Sequence, residues 1–374
     1  MTAHRAALGT LLVGVGGPPD GSAGPAPAGW VFDLIDAGLA GVCLSGGSVV
    51  DEGDDIIEIT VPLRRARRDL LIDVDEAAGD LTRLAYAVGS TFPRAVLGRA
   101  DDVAWTEDLA RRVGWLARTA GCNLVLGPVA SGSLVPDDPA VVNDQVVPDR
   151  ALADQPGDPA RAVGDEPGNA ARHAAAWVRG LQSTGIGACL RHDPGSGALG
   201  THAEPDRGLR SIAAASRSWV QALMGARPSP LDPEPSGPSG LFTRGIAGVL
   251  RDDLGFRGLI VGQVHAGDRP GATIPEAAVR ALADGFDLIR LGAHGGAALV
   301  GCVAAIVDAV ADGRLDRGRL YDAAARVAAL SGATGIDEPG LTRSGGLAEL
   351  AAPGLPRPFA PSRARDLVGA AVGA

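Results

Sequence analysis

Lysine is absent from the 374-residue sequence, so all 34 of its lysine-plus-arginine cations are arginines. This absence excludes Schiff-base chemistry on a lysine and leaves no lysine ammonium for a ligand site. Because glycine and proline are also abundant, at 54 and 27 residues, codon drift in a GC-rich genome is the simplest explanation. The absence limits the available chemistry without pointing to a function.

Cysteine is scarce as well, with four residues in the whole chain. They are Cys43, Cys122, Cys189 and Cys302. They lie far apart, and three of them are inside apolar runs, a pattern typical of buried thiols in a reducing compartment. This spacing argues against a disulfide framework and against a C-x-x-C metal site. The net charge of −10 repels phosphate backbones and argues against general nucleic-acid binding.

Long hydrophobic segments are also missing. The first residues, MTAHRAALGTLLVGVGG, lack a charged segment followed by a long apolar stretch and a cleavage site. No apolar run is long enough to cross a bilayer. The sequence therefore predicts a cytoplasmic protein that does not enter a membrane.

Signatures of cofactor binding are absent too. The six histidines show neither H-x-x-x-H nor H-E-x-x-H spacing, so we expect no metal site. The glycines of LLVGVGGPPDG do not form G-x-G-x-x-G at the start of a helix, so we expect no nucleotide cofactor. His4 and His173 are predicted to be ordinary surface positions.

Eight short apolar runs alternate with helical stretches along the chain. Most of the runs are continuously apolar, as expected for strands covered on both faces. They are LLVGVGG (11–17), GVCLSG (41–46), LLIDVD (70–75), NLVLGPV (123–129), IGACLRHD (186–193), VQALMGA (220–226), GLIVGQV (258–264) and DLIRLG (287–292). The clearest helical stretches are TEDLARRVGWLARTAG, AARHAAAWVRGLQSTG and IPEAAVRALADGFD. This alternation predicts an α/β fold, a single-domain (β/α)8 TIM barrel, with a doubly wound open sheet as the alternative.

The barrel is predicted to occupy residues 1–332. Residues 333–374 are rich in glycine and proline, which predicts a loosely docked C-terminal tail. Residues 130–160 are rich in Pro, Asp and Ser and follow a predicted strand, so we expect a long loop there.

Polar side chains follow several of the predicted strands, at the end of a barrel where active sites lie. They are Asp73, Asp75, Glu76, Ser131, Arg191, His192, Asp193, Arg227, Gln263 and His265. Carboxylates accept hydrogen bonds from hydroxyls and arginine donates in a fixed fork, so the set suits a polyhydroxylated ligand. The alternative, that these are ordinary solvated loop residues, fits the pattern equally well.

Five segments, in order, resemble glycoside hydrolase family 3. LLIDVDEAAGDLTRL is similar to L-L-I-x-x-D-Q-E-G-G-R-V-x-R-L, and NLVLGPVASGS to N-x-x-x-A-P-V-x-D-x-x. ACLRHDPGSG is similar to C-x-K-H-F-P-G-H-G, GVLRDDLGFRGLIVGQV to L-R-x-x-L-G-F-x-G-x-x-x-S-D-D, and AAVRALADGFDLIRLG to A-x-x-A-L-x-A-G-x-D. The order resembles the NagZ-type single-domain β-N-acetylhexosaminidases of that family. The resemblance implies a (β/α)8 barrel and retaining hydrolysis of terminal β-linked sugars.

The resemblance places the family's nucleophile, the first Asp of S-D-D, at Gln263. A retaining glycosidase needs a carboxylate nucleophile and a separate acid/base. An amide cannot form and release a glycosyl ester as a carboxylate does, and it balances oxocarbenium charge less well. We therefore expect this replacement alone to lower the hydrolytic rate by many orders of magnitude.

Two further catalytic features of the family are altered. Its acid/base is a histidine in G-H-G-D-T-x-x-D-S-H, and His202 is the possible remnant of it. The loop here is shorter and lacks the aspartate that orients the histidine. The Q-E-G-G-R run is replaced by EAAGD at residues 76–80. Three losses at one site indicate relaxed selection on the chemistry.

Part of the family's sugar-binding set survives, which predicts a small carbohydrate ligand. The predicted substrate-binding residues are Asp75, Arg191, His192, Asp193, Arg161 and His265. By resemblance, Asp75 binds hydroxyls, Arg191 replaces a lysine, and His192 keeps the family's histidine. Asp193 replaces a phenylalanine and adds a charge. The family's arginine falls on Arg161 or on Gln145, depending on where an insertion is placed.

Three functions remain open from the sequence. The first is a pseudoglycosidase that binds a sugar, a muropeptide fragment or a protein partner in the old cleft. The second is an active O-glycosyl hydrolase, of β-N-acetylhexosaminidase or β-glucosidase type, with relocated catalytic groups. The candidates for those groups are Asp75, Asp193, Asp268, His192, His202 and His265. The third is a structural module with a closed cleft. The three losses at the catalytic site favour the first.

Overall fold

A computed structural model describes residues 1–15, 27, 29–44, 53–76, 101–129, 167–191, 220–224, 247–264, 273–291 and 296–336. The strands are β1 (Leu11–Gly14), β2 (Gly41–Leu44), β3 (Leu71–Asp75), β4 (Leu124–Val129), β5 (Gly187–Arg191), β6 (Ala222–Met224), β7 (Leu259–Gln263) and β8 (Leu288–Arg290). The helices are α1 (Ala3–Leu8), α2 (Gly29–Ala37), α3 (Gly53–Ala66), α4 (Val103–Thr119), α5 (Pro167–Gln182), α6 (Ile274–Ala283), α7 (Gly296–Ala311) and α8 (Arg317–Ala333). A short π-helix spans Val249–Asp253.

The eight strands form a closed parallel barrel in chain order, and β8 pairs with β1. Every predicted apolar run contains one of these strands, so the predicted TIM barrel is confirmed and the open-sheet alternative is wrong. The predicted loop at 130–160 and residues 337–374 of the predicted tail lie outside the described residues. Among the described helices, none is both long enough and apolar enough to cross a membrane.

Local sequence explains where α4 begins and ends. Asp102 caps its first turn by accepting a hydrogen bond from the Trp105 N–H at 2.9 Å. The apolar positions of the helix face the core, and Gly121 reverses the chain just after the helix with a φ of +81°. A Cβ at this glycine would lie 2.7 Å from Thr60 Oγ1. Glycine is therefore required both by the backbone conformation and by the close approach of α3.

Alternating residues of the strands fill the barrel interior with a cluster of buried side chains. The strand members of this cluster are Leu12, Leu71, Leu124, Leu126, Cys189, Ala222, Met224, Leu259, Val261 and Leu288. Val327 and Leu330 of α8 belong to the same cluster. The Asn123 side-chain amide, just before β4, donates to Thr334 O at 3.3 Å, just after α8. Helix α8 therefore covers the end of the barrel at which the strands begin, and the opposite end carries the loops that follow the strands.

A fully buried carboxylate joins two of the five motif segments, LRDDLGFRG and ALADGFD. Asp287, which precedes β8, accepts hydrogen bonds from Arg251 at 2.5 Å and from the Ile260 N–H at 2.9 Å. Arg319 and Arg326 of α8 also donate to it, at 2.8 and 3.3 Å. This group of three arginines around one aspartate, which we call the Asp287 hub, ties the π-helix, β7, β8 and α8 together.

The buried polar positions include one that the sequence analysis placed on the surface. His173 on α5 is fully buried, with Nδ1 2.7 Å from Thr106 Oγ1 on α4 and Nε2 3.3 Å from Asp101. The surface prediction for His173 is wrong, because this face of α5 packs closely on α4. His4 is exposed as predicted. All four cysteines are buried free thiols.

Candidate active site

Four charged side chains form a chain of ion pairs across the barrel interior. Arg290 of β8 reaches across to β3, where its Nε and Nη2 donate to the two carboxylate oxygens of Asp73 at 2.9 and 3.2 Å. The same Nη2 donates to Asp75 Oδ2 at 2.9 Å. Arg191, the last residue of β5, donates from Nη1 to Asp75 Oδ1 at 3.3 Å. Two positive and two negative groups therefore balance one another at the carboxyl ends of the strands.

The inner pair of this chain is sealed from water, and the outer pair is not. Asp73 is fully buried and Arg290 is 2% exposed, whereas the side chains of Asp75 and Arg191 are 24% and 30% exposed. Burial raises the pKa of Asp73 to about 6, an effect that Arg290 opposes. Burial also disfavours the charge of Arg290, but Asp73 and Asp75 together raise its pKa above the ordinary value. The pair of Asp73 and Arg290 therefore lies at the bottom of the site, and the pair of Asp75 and Arg191 faces the mouth of the barrel.

The predicted nucleophile position lies at the same level. Gln263 ends β7 two residues after the interior residue Val261, so its side chain faces the barrel interior. It pairs in register with Arg290 of β8, and the next amide, of Val264, donates to Arg290 O at 3.0 Å. The described residues of β7 and its end, 259–264, include no carboxylate. At this strand end the chain offers a neutral amide.

The exposed part of the site suits binding by hydrogen bonds. Asp75 offers a carboxylate acceptor, Arg191 a planar donor, and Gln263 both a donor and an acceptor. All three stand at the ends of hydrogen-bonded barrel strands, which hold their backbones in place. Such an arrangement can orient a neutral hydroxylated molecule.

The structure brings three of the predicted site residues to one end of the barrel, namely Asp75, Arg191 and Gln263. The other predicted site residues lie outside the described residues, and they are His192, Asp193, His202, Arg161, His265, Ser131, Arg227, Asp268 and Gln145. Their roles stay predictions. For Asp73 and Glu76, the alternative of a solvated loop residue is wrong, since both side chains are fully buried.

Sequence reasoning missed Arg290. The run DLIRLG predicts a strand, but the sequence analysis assigns its arginine no partner among the aspartates of β3. A signal was present, because an arginine inside an apolar strand is buried only when a counter-charge is at hand. The alternation of β8 places Arg290 on the same face as Leu288, which belongs to the interior cluster.

Comparisons with known proteins agree with this architecture. Residues 32–330 match the glycosyl hydrolase family 3 N terminal domain. The Beta-hexosaminidase of Pseudomonas aeruginosa is 30% identical over 233 residues, which are 56% of this chain and 62% of that protein. The chain spans less than two thirds of the length of the curated relatives it matches.

Two solved structures are similar in fold. A glycoside hydrolase family 3 beta-N-acetylglucosaminidase from Paenibacillus sp. has a TM-score of 0.74 and 21% identity, covering 99% of this chain and 68% of that one. The Beta-N-acetylhexosaminidase from Beutenbergia cavernae has a TM-score of 0.69 and 23% identity, covering 89% of this chain and 99% of that one. The expected resemblance and the expected barrel are both confirmed.

Proposed function

The chain belongs to glycosyl hydrolase family 3, and on that premise we propose that it is a pseudoglycosidase, which binds a carbohydrate in the mouth of the barrel without hydrolysing it. The observation that carries the proposal is Gln263. Its amide ends β7, faces the interior, and stands where the family resemblance puts a carboxylate nucleophile. A retaining mechanism needs that carboxylate to form a glycosyl ester.

Two carboxylates of the described residues at this end of the barrel, those of Asp73 and Asp75, are engaged by arginines. Asp73 is sealed in its pair with Arg290, and both oxygens of Asp75 accept hydrogen bonds from arginines. A carboxylate held by two guanidinium groups is a weaker nucleophile and a weaker base than one that is exposed to water. For Asp73 and Asp75, these contacts support binding over a role in a relocated catalytic pair.

Hydroxyl recognition is what the exposed groups can supply. Asp75 and Arg191 stand side by side at the mouth and are each about a quarter to a third exposed. A sugar hydroxyl can donate to the carboxylate and accept from the guanidinium. Since the relatives are named for β-linked N-acetylglucosamine or hexosamine, the ligand we propose is an amino sugar or a muropeptide fragment. The cytoplasmic location stays part of this proposal.

Hydrolysis assays test the loss of activity. We expect purified protein to release no nitrophenolate from 4-nitrophenyl β-N-acetylglucosaminide or 4-nitrophenyl β-glucoside above the rate of a heat-inactivated sample. Turnover by the wild type that disappears in Asp75→Asn would show an active enzyme with relocated catalytic groups. This result would contradict the proposal of a pseudoglycosidase.

Binding is tested separately with N-acetylglucosamine as the probe, by saturation-transfer NMR. We expect a signal with the wild type that Asp75→Asn and Arg191→Met each reduce. Arg179→Met is the matched control, because Arg179 lies on α5, outside the barrel, and pairs with Glu107 of α4. Equal signals in all four proteins would place the sugar elsewhere.

A further inference from the structure

Arg290, in the barrel interior, has one amino group that makes no hydrogen bond to the described residues. Its Nε and Nη2 serve Asp73 and Asp75, whereas its Nη1 amino group has no acceptor among the described residues. Arg290 is nonetheless almost fully buried, at 2% exposure. A guanidinium amino group that donates to no protein acceptor can donate to a further anionic partner.

Position 263 is the natural place for such a partner. Gln263 and Arg290 are Cα neighbours on adjacent strands, and parallel strands lie about 4.8 Å apart. Each follows an interior residue of its own strand by two positions, so both side chains face the same space. In the present chain the neighbour of Arg290 is a neutral amide, and the four interior charges cancel without it.

We propose that Arg290 is a second determinant of the inactive state, which would capture a carboxylate placed at position 263 in an ion pair and so prevent it from acting as a nucleophile. The inference deepens the proposed function and rests on it. Attack on an anomeric carbon needs a carboxylate with an uncommitted lone pair, and its negative charge must balance a developing oxocarbenium ion. A guanidinium that shares the carboxylate reduces both.

The inference predicts that repairing position 263 alone does not restore hydrolysis. The test compares Gln263→Asp in two backgrounds, the wild type and the pair Arg290→Met with Asp73→Asn. Asp73→Asn is included because Asp73 would otherwise be a buried carboxylate without its arginine, and Asp75 keeps its contact with Arg191. The matched control for removal of an ion pair combines Arg179→Met with Glu107→Gln on the outside of the barrel.

Aryl glycosides isolate the nucleophilic step. The carboxylate oxygen introduced at position 263 bonds to the anomeric carbon while the bond from this carbon to the aryl oxygen breaks. The electron pair leaves with nitrophenolate, so no proton donor is needed. Water then cleaves the ester, which releases the sugar and returns the carboxylate. We expect the triple variant to release nitrophenolate at least about tenfold faster than Gln263→Asp, a difference of about 1.4 kcal/mol in activation free energy.

A folding measurement tests the pairing without any activity. Urea unfolding followed by circular dichroism is carried out on all the variants. We expect Gln263→Asp to lower the unfolding midpoint more when Arg290 is absent than when it is present, because the ion pair is then lost. The control pair is expected to leave the effect of Gln263→Asp unchanged in both assays.

The outcomes separate this inference from the proposed function. Equal midpoint shifts in the two backgrounds would overturn the capture by Arg290. So would a folded triple variant that is no faster than Gln263→Asp, or a single variant as fast as the triple. Hydrolysis by the wild type would overturn the pseudoglycosidase instead, and the midpoint shifts would still decide the pairing.

Discussion

Loss of the carboxylate at the centre of the Asp287 hub should strongly destabilise the barrel. Asp287→Asn keeps the size of the side chain and removes its charge. Asp287 is fully buried and accepts from three arginines and one backbone N–H, at 2.5 to 3.3 Å. Breaking a buried ion pair costs about 3–5 kcal/mol. Because the arginines are 16–28% exposed and recover some hydration, we expect about 3 kcal/mol.

Urea unfolding monitored by circular dichroism measures this loss. Asp322→Asn is the matched control, since Asp322 contacts Arg326 and Arg319 of the same hub but is 52% exposed. Solvent-exposed pairs are worth about 0–1 kcal/mol, so the control is expected to remain within about 1 kcal/mol of the wild type. If Asp287→Asn also falls within about 1 kcal/mol of the wild type, the hub does not hold the motif segments together.

Three further changes test local features of the fold. Burial lowers the pKa of His173, and Asp101 offsets part of this effect. Because the unfolded chain then binds more protons than the folded chain, the free energy of unfolding is expected to fall as the pH drops from 8 to 5. In urea titrations at several pH values, His173→Leu should reduce this loss of stability at low pH, whereas His4→Leu should not. The same pH dependence in the wild type and both variants would contradict the role given to His173. Gly121→Ala should cost more in thermal melts than Gly313→Ala, because both have positive φ but only the first glycine is crowded; equal losses would mean that backbone strain alone decides. Thr273→Ala removes the capping box of α6 and should cost about 1 kcal/mol in urea unfolding, and a loss below about 0.3 kcal/mol would show the cap to be unimportant.

The fold could be predicted from the sequence because strands buried on both faces leave a strong pattern. Eight apolar runs separated by helical stretches permit few architectures, and five motif segments in order narrow them to one family. The same pattern predicts which residues stand at strand ends, and Asp75, Arg191 and Gln263 are the last residues of their strands. No local sequence pattern predicts the register of these strands or the distances between these side chains.

Side-chain environment was harder to predict, and two examples show why. His173 lies in an alanine-rich helix whose sequence does not reveal which face meets α4, so a buried histidine looked like a surface one. Asp73 and Arg290 are 217 positions apart in sequence, and only closure of the barrel brings strands β3 and β8 across one interior. No periodicity in either strand indicates that pairing.

The sequence by itself determined the barrel and the family, because both depend on residue type and order along the chain, and the family resemblance predicts that Gln263 stands at the nucleophile position. Only the tertiary structure decided how the remaining charges are used. It placed Arg290 between the two aspartates of β3 and beside Gln263, since the partners of a buried charge are set by which strands face each other across the barrel.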